Sequence, residues 1–210
     1  FSRASLLVSE LGTRPMKIQS QTFERLVLGQ LFETTGPREG QDLLDHYIAV
    51  IEGKTGSLIA AAGEYGSLLS GASEDVISMV KAYGELVGVA FQLADDVIDI
   101  VSDGKTSGKT RGTDLREGVP TLPTILLDRA VAAGDESAVA VRALLDADLS
   151  SDEALETAVE ALAAHPVTQE AWQIAYDWAD RAIAAIAPLP ESTAKAALES
   201  FAHAVVHREG

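Results

Sequence analysis

The chain has 210 residues, 47% of them hydrophobic, and sets 32 acidic against 16 basic side chains for a net charge of −16. That balance excludes sequence-independent nucleic-acid binding, which needs a basic face. The absence of cysteine excludes a disulfide framework and thiolate metal sites.

The length suits one domain with one sizeable core. No apolar run reads as long enough to span a bilayer. The chain opens on Phe1 rather than Met, so targeting is not read from this end. Apolar positions recur three and four apart in nearly every segment, and strand-like alternation is scarce. From the N-terminus this spacing predicts helices over roughly 3–11, 19–35, 40–52 and 54–70. Gly36-Pro37 should end the second and Gly71 the fourth. Asp42 and Asp45 form a DxxD in a polar first turn, where capping explains them. Lys54-Thr55, in IEGKTGSLIAAA, opens a strongly apolar helix beside small residues. Such an ammonium can reach a phosphate oxygen, with hydroxyl and carbonyl dipoles beside it. Taken alone, however, it reads as a lysine snorkelling from a helix end.

A long helix is predicted over roughly 74–102, with Ser73 as N-cap. Val80, Tyr83, Leu86, Val87, Ala90, Phe91, Ala94, Val97, Ile98 and Val101 cover more than half its circumference, which makes it a central, buried helix. Near its C-terminal end, FQLADDVID carries Asp95, Asp96 and Asp99. Acids there are close to desolvation and face the negative end of the helix dipole. Asp95 and Asp99, at i and i+4, repel each other across one face. Folding alone does not select this arrangement; a bound Mg²⁺, which takes oxygen ligands and is completed by substrate phosphates, repays it. The alternative is a solvated acidic helix end, against which the apolar flanks argue.

The segment 103–120, DGKTSGKTRGTDLREGVP, reads as irregular, and a loop that long in a helical domain is functional or disordered. GKTSGKT is not a P-loop: only three residues separate Gly104 from Gly108, and a helix precedes it instead of a strand. Lys105 and Lys109 can still clamp a phosphate. Helices follow over roughly 121–133, 136–146, 151–164, 167–187 and 191–208, with Ser150 and Ser192 as N-caps. Trp172 and Trp178 are expected in the core. His203 and His207 lack the acid of a zinc-protease HExxH and read as cations at a helix C-terminus. No Ser-His-Asp or Cys-His arrangement suggests itself.

Three linked motifs, KTGSL at 54–58, FQLADDVID at 91–99 and GKTRGTDLREGVPTLP at 108–123, resemble those of the trans-isoprenyl diphosphate synthases in order and spacing. The likeness runs through nearly the whole chain and is closest to bacterial long-chain synthases of the heptaprenyl or octaprenyl type. It implies an all-α fold, a class I isoprenoid synthase bundle of about ten helices around a central apolar cavity. It implies a Mg²⁺-dependent transfer of an allylic prenyl diphosphate onto isopentenyl diphosphate, in a homodimer, with no nucleic-acid partner and no transmembrane segment. The location implied is cytoplasmic, peripheral to a membrane because the product is a lipid. Carried over by position, Asp95, Asp96 and Asp99 would bind Mg²⁺ bridging to the allylic diphosphate, Asp95 and Asp99 most directly. Lys54 and Lys109 would hold that diphosphate, with Arg208 a weaker phosphate contact. Thr55 and Gln92 would point oxygen dipoles at the allylic cation, and Phe91 would line the isopentenyl site. The sequence departs from the pattern in two ways. The family's earlier aspartate-rich motif and upstream basic residues are missing, so the chain reads as the last two-thirds of a synthase. Val119 also stands where many members have lysine. A non-catalytic subunit or core fragment is the alternative reading, and a terpene cyclase of the same fold a third.

Overall fold

Segments rich in Ala, Leu and Glu with apolar residues at helical spacing fold as helices in the computed structural model, which describes residues 2–102 and 111–207. Among the described residues eleven α-helices form: α1 Ser2–Ser9, α2 Thr13–Thr35, α3 Leu43–Ile51, α4 Ser57–Leu69, α5 Glu74–Val101, α6 Thr113–Glu117, α7 Leu122–Ala132, α8 Glu136–Leu145, α9 Asp152–Ala164, α10 Pro166–Ile186 and α11 Thr193–Val206. One π turn, Glu52–Gly56, joins α3 to α4 without a break. Among the described residues there is no strand, as an all-α fold requires.

Several boundaries move for identifiable reasons. α2 starts at Thr13, earlier than predicted, because Pro15 falls in the first turn, where no intrahelical N–H bond is lost. It ends at Gly36, whose N–H returns to the Phe32 carbonyl. Asp42 caps α3 by accepting from the N–H groups of Leu44 and Asp45, as read from the sequence. Ser151, not Ser150, caps α9, accepting from Ala154 N–H at 3.2 Å. The stretch predicted as irregular ends in α6, held between Gly112 and Gly118, both with positive φ.

The described residues fall into two compact units: Phe1–Ala90 with Trp178–Ala204, and Phe91–Asp177 with Val205–Gly210. In the first, helices approach until backbones touch. A Cβ on Gly84 of α5 would lie 2.7 Å from Ala60 Cα of α4, and one on Gly88 would lie 2.7 Å from Gly56 Cα of the π turn. Tyr83 also anchors α11 there, its hydroxyl donating to the Leu198 carbonyl at 2.6 Å. In the second unit the first half of α7 is buried all round, with Leu122, Ile125, Leu126 and Leu127 inside, while Asp128 and Arg129 reach the surface. α9 contributes Leu155, Val159 and Leu162. Burying each such side chain contributes roughly 1.5–3 kcal/mol.

α5 runs through both units, and Val87, Val89, Ala90, Leu93, Ala94 and Val97 have no exposed surface. By length and composition it is apolar enough to cross a membrane, which corrects the expectation that no such run exists. Its position as the core helix accounts for that composition equally well. The tryptophans correct another expectation. Both lie half-exposed on α10, whose buried seam is Ala171, Ala175, Ala179, Ala182 and Ile186. Trp172 stacks on Tyr176 with ring centroids 5.7 Å apart, and the Arg181 guanidinium sits 3.9 Å over Trp178. His203 lies in the last turn of α11, and His207 packs on Tyr176, centroids 5.0 Å apart.

Candidate active site

The acids on α5 divide by helical geometry. Successive side chains point about 100° apart on a helix, whereas i and i+4 share a face. Asp96 is therefore turned away from Asp95 and Asp99. It is buried, at 5% exposed. Its Oδ2 accepts the N–H of Leu122 at 3.1 Å, one of the first-turn donors of α7 that has no intrahelical partner. Its Oδ1 accepts from the Gln92 amide at 3.2 Å, one turn back on the same face. Asp96 thus caps α7 from outside, helped by the positive end of that helix. Of the three acids named for Mg²⁺, with Asp95 and Asp99 the most direct, Asp96 is the one turned to α7. Among the described residues no group of three or more His, Cys, Asp or Glu side chains is arranged to hold a metal ion.

Asp95 and Asp99 are half-buried on the other face. The chain returns to them from α6. Gly112 N–H donates to the Asp99 carbonyl at 2.9 Å, and Asp114 N–H reaches Asp99 Oδ2 at 3.4 Å. Arg111 locks this return, its Nε donating to the Ile100 carbonyl at 2.5 Å and its Nη1 to Glu156 at 2.9 Å. Burial raises the Asp99 carboxyl above the usual carboxylate range, and the negative charges of Asp114 and Asp95 raise it further, against the backbone N–H bonds of Asp114 and Thr113 that lower it. A divalent cation relieves this kind of stress, and Mg²⁺ needs only one or two protein carboxylates beside phosphate and water. The donor set fits such an ion through Asp95 and Asp99. Asp114 was not picked out from the sequence; its only signal there was an acid six residues after Gly108 in the third motif.

Lys54 and Thr55 lie in the π turn, in the first unit. A π turn carries one residue more than an α-helical turn, a device often found at functional sites. Ser57 N–H bonds the Glu52 carbonyl five residues back, and Ser57 Oγ donates to the Gly53 carbonyl at 2.6 Å. Lys54 Nζ stands 2.7 Å from both carboxylate oxygens of Glu33 on α2, and Gln30 holds that carboxylate at 2.7 Å. Beneath the turn, Arg25 pairs with Glu85 and donates to the Glu52 carbonyl at 3.3 Å. Burial, then the Glu85 charge, raises the Glu52 carboxyl, while Arg25 and Arg181 pull it down. The expectation of a simple helix start at Lys54 is corrected: the lysine sits inside a continuous helical rod.

The remaining predicted positions are quickly placed. Phe91 is half-buried on α5 and Gln92 is oriented by Asp96. Val119 is 38% exposed beyond α6. Lys105, Lys109 and Arg208 lie outside the described residues.

Residues 1–162 match the family model described as polyprenyl synthetase. The chain belongs to the polyprenyl synthetase family. Among its relatives, nonaprenyl diphosphate synthase of Mycobacterium tuberculosis is 39% identical over all 210 residues, which span 62% of that protein. Octaprenyl diphosphate synthase of Escherichia coli is 31% identical over the whole chain and 64% of its own length. A geranylgeranyl pyrophosphate synthase from Corynebacterium glutamicum, complexed with calcium and isoprenyl diphosphate, superposes with a TM-score of 0.86 at 39% identity, covering 100% of this chain and 64% of that one. A decaprenyl diphosphate synthase from Rhodobacter capsulatus gives a TM-score of 0.80 at 32% identity, covering 99% and 64%. This polyprenyl synthetase chain therefore spans somewhat less than two-thirds of the length of these four relatives. Its all-α fold is theirs.

Proposed function

We propose that this polyprenyl synthetase chain carries the elongation half-site of a Mg²⁺-dependent prenyltransferase, which joins an allylic prenyl diphosphate to isopentenyl diphosphate. The observation that carries the reading is the return of α6 to the half-buried Asp99, with Asp114 N–H 3.4 Å from its Oδ2, where burial and then the charges of Asp114 and Asp95 raise the carboxyl. Bound Mg²⁺ would neutralise the leaving diphosphate there. Asp95 and Asp99 would hold the ion, and Asp96 would hold α7 and Gln92 in register instead of touching it. Lys54 would bind diphosphate oxygen once released from Glu33, and the Thr55 and Gln92 oxygens would face the developing cation. Phe91 would line the isopentenyl site. No side-chain nucleophile is required, because the isopentenyl double bond attacks the allylic carbon and a proton then leaves. The relatives named for nonaprenyl, octaprenyl and decaprenyl products support a long-chain product, and a lipid product favours work at a membrane surface.

The test is diphosphate release by the encoded full-length protein with and without Mg²⁺. Asp95→Ala should cut turnover by orders of magnitude while thermal stability stays level or rises, since repulsion on one helix face is relieved. Unchanged turnover ends the reading.

A further inference from the structure

The π turn that carries Lys54 and Thr55 is gripped by bare backbone on two sides. On the α2 side, a Cβ built on Gly29 would lie 3.1 Å from both the Gly53 carbonyl carbon and Lys54 N. A Cβ on Gly53 would in turn meet the Arg25 carbonyl oxygen and Gly29 Cα at 3.0 Å. On the α5 side, a Cβ on Gly88 would lie 2.7 Å from Gly56 Cα and 3.2 Å from the Thr55 carbonyl oxygen. One on Gly56 would stand 3.2 Å from the Glu85 carbonyl oxygen. Contacts under 3.0 Å are not tolerated by a real methyl group, so a side chain at Gly88 forces backbone to move. The backbone that moves is that of Thr55 and Gly56.

We infer that Gly29 and Gly88 are positioning residues: by admitting α2 and α5 to backbone contact on either side of the π turn, they fix where Lys54 and Thr55 present their ammonium and carbonyl. This builds on the diphosphate-binding reading of Lys54, but the grip itself is independent of it. The π hydrogen-bond pattern is not self-supporting, since isolated π turns are rare. The Ser57 hydroxyl bond to Gly53 closes the turn internally, and the two glycine contacts close it externally. Displacing a reacting group by about 1 Å can cost up to about 100-fold in rate.

α5 supplies its own control. A Cβ on Gly84 would lie as close to Ala60 Cα, 2.7 Å, yet it touches α4 beyond the turn. With the Ile59 carbonyl oxygen at 2.8 Å and Ala60 N at 2.9 Å as well, Gly84→Ala should destabilise at least as much as Gly88→Ala while displacing different backbone. The experiment compares both with Gly29→Ala, the gentler variant, and Lys54→Met, in the full chain below its unfolding temperature. Amide hydrogen exchange at residues 54–57 should accelerate in Gly88→Ala and Gly29→Ala and stay unchanged in Gly84→Ala. Affinity for inorganic pyrophosphate with Mg²⁺ should fall about ten-fold or more in the first two, and little in Gly84→Ala. Equal exchange and equal affinity loss in Gly84→Ala and Gly88→Ala would reduce the contacts to ordinary packing and overturn the inference. If Lys54→Met leaves pyrophosphate affinity unchanged, the diphosphate reading fails instead, and exchange alone decides the grip.

Discussion

At the scale of single residues, the DDxxD motif contains two kinds of aspartate. Asp96 is a structural acceptor. Asp96→Ala leaves the buried N–H of Leu122 without its partner, which should cost about 1–3 kcal/mol. Denaturant unfolding at pH 7 will show that loss in Asp96→Ala and none in Asp95→Ala. Tyr83 offers a second test. Burial pushes its hydroxyl up to about 12, from an ordinary value near 10. The folded state therefore keeps a proton that the unfolded chain gives up between those values, so stability is full below about pH 10 and falls as pH rises toward 12. Tyr83→Phe should be less stable at neutral pH, because the Leu198 carbonyl loses its donor, and should show a shallower alkaline decline in melting temperature. Lys195 belongs at this scale too. At 7% exposed, its Nζ donates to the carbonyls of Ala187 and Leu189 beyond the end of α10, and to Glu191. Nothing in TAKAAL distinguishes it from a surface lysine, because its partners are carbonyls that only the turn brings near.

At the scale of elements, the predicted helices stand and the joints between them were the unread part. The continuity of α3 through the π turn, with its glycines at 53 and 56, into α4 was unread because the predicted helices part at Gly53. The two glycines are there for close approach. The short α6 escaped because five residues give no periodicity to read. Its register depends on Gly112, which has a φ of +72° and no room for a Cβ against the Val159 side chain. Gly112→Ala combines left-handed strain with that clash and should lower stability by about 1–3 kcal/mol. It should also loosen the Asp99–Asp114 pairing. Val159→Ala in the same chain should recover part of the stability by removing the clash but none of the backbone strain, which a double-mutant cycle measures.

At the scale of the whole molecule, the surface of α1 and α2 is unusual. α1 buries no residue, and Leu6, Leu7, Met16, Phe23, Val27 and Leu31 are each 42–65% exposed. Met16, Phe23, Val27 and Leu31 repeat at helical spacing along one side of α2, and contiguous exposed apolar surface marks an interaction face. The family resemblance implies a homodimer, and we propose that a second copy covers this face. Sedimentation of the full-length protein should then show a dimer that Val27→Glu dissociates; an unchanged dimer would move the interface elsewhere. The net charge of −16 supports solubility but does not oppose such a face, because α2 is not rich in acids along it.

The sequence by itself determined the helical class, the buried course of α5, the caps at Asp42 and Gly36, and the grouping of Asp95 with Asp99. All of these follow from periodicity and local backbone chemistry, whose range is one or two turns. Tertiary structure decided the capping role of Asp96, the entry of Asp114, the pairing of Lys54 with Glu33 and the grip on the π turn. Each depends on which distant backbone or side chain arrives at a given helix face, and helical spacing specifies the face without specifying the visitor.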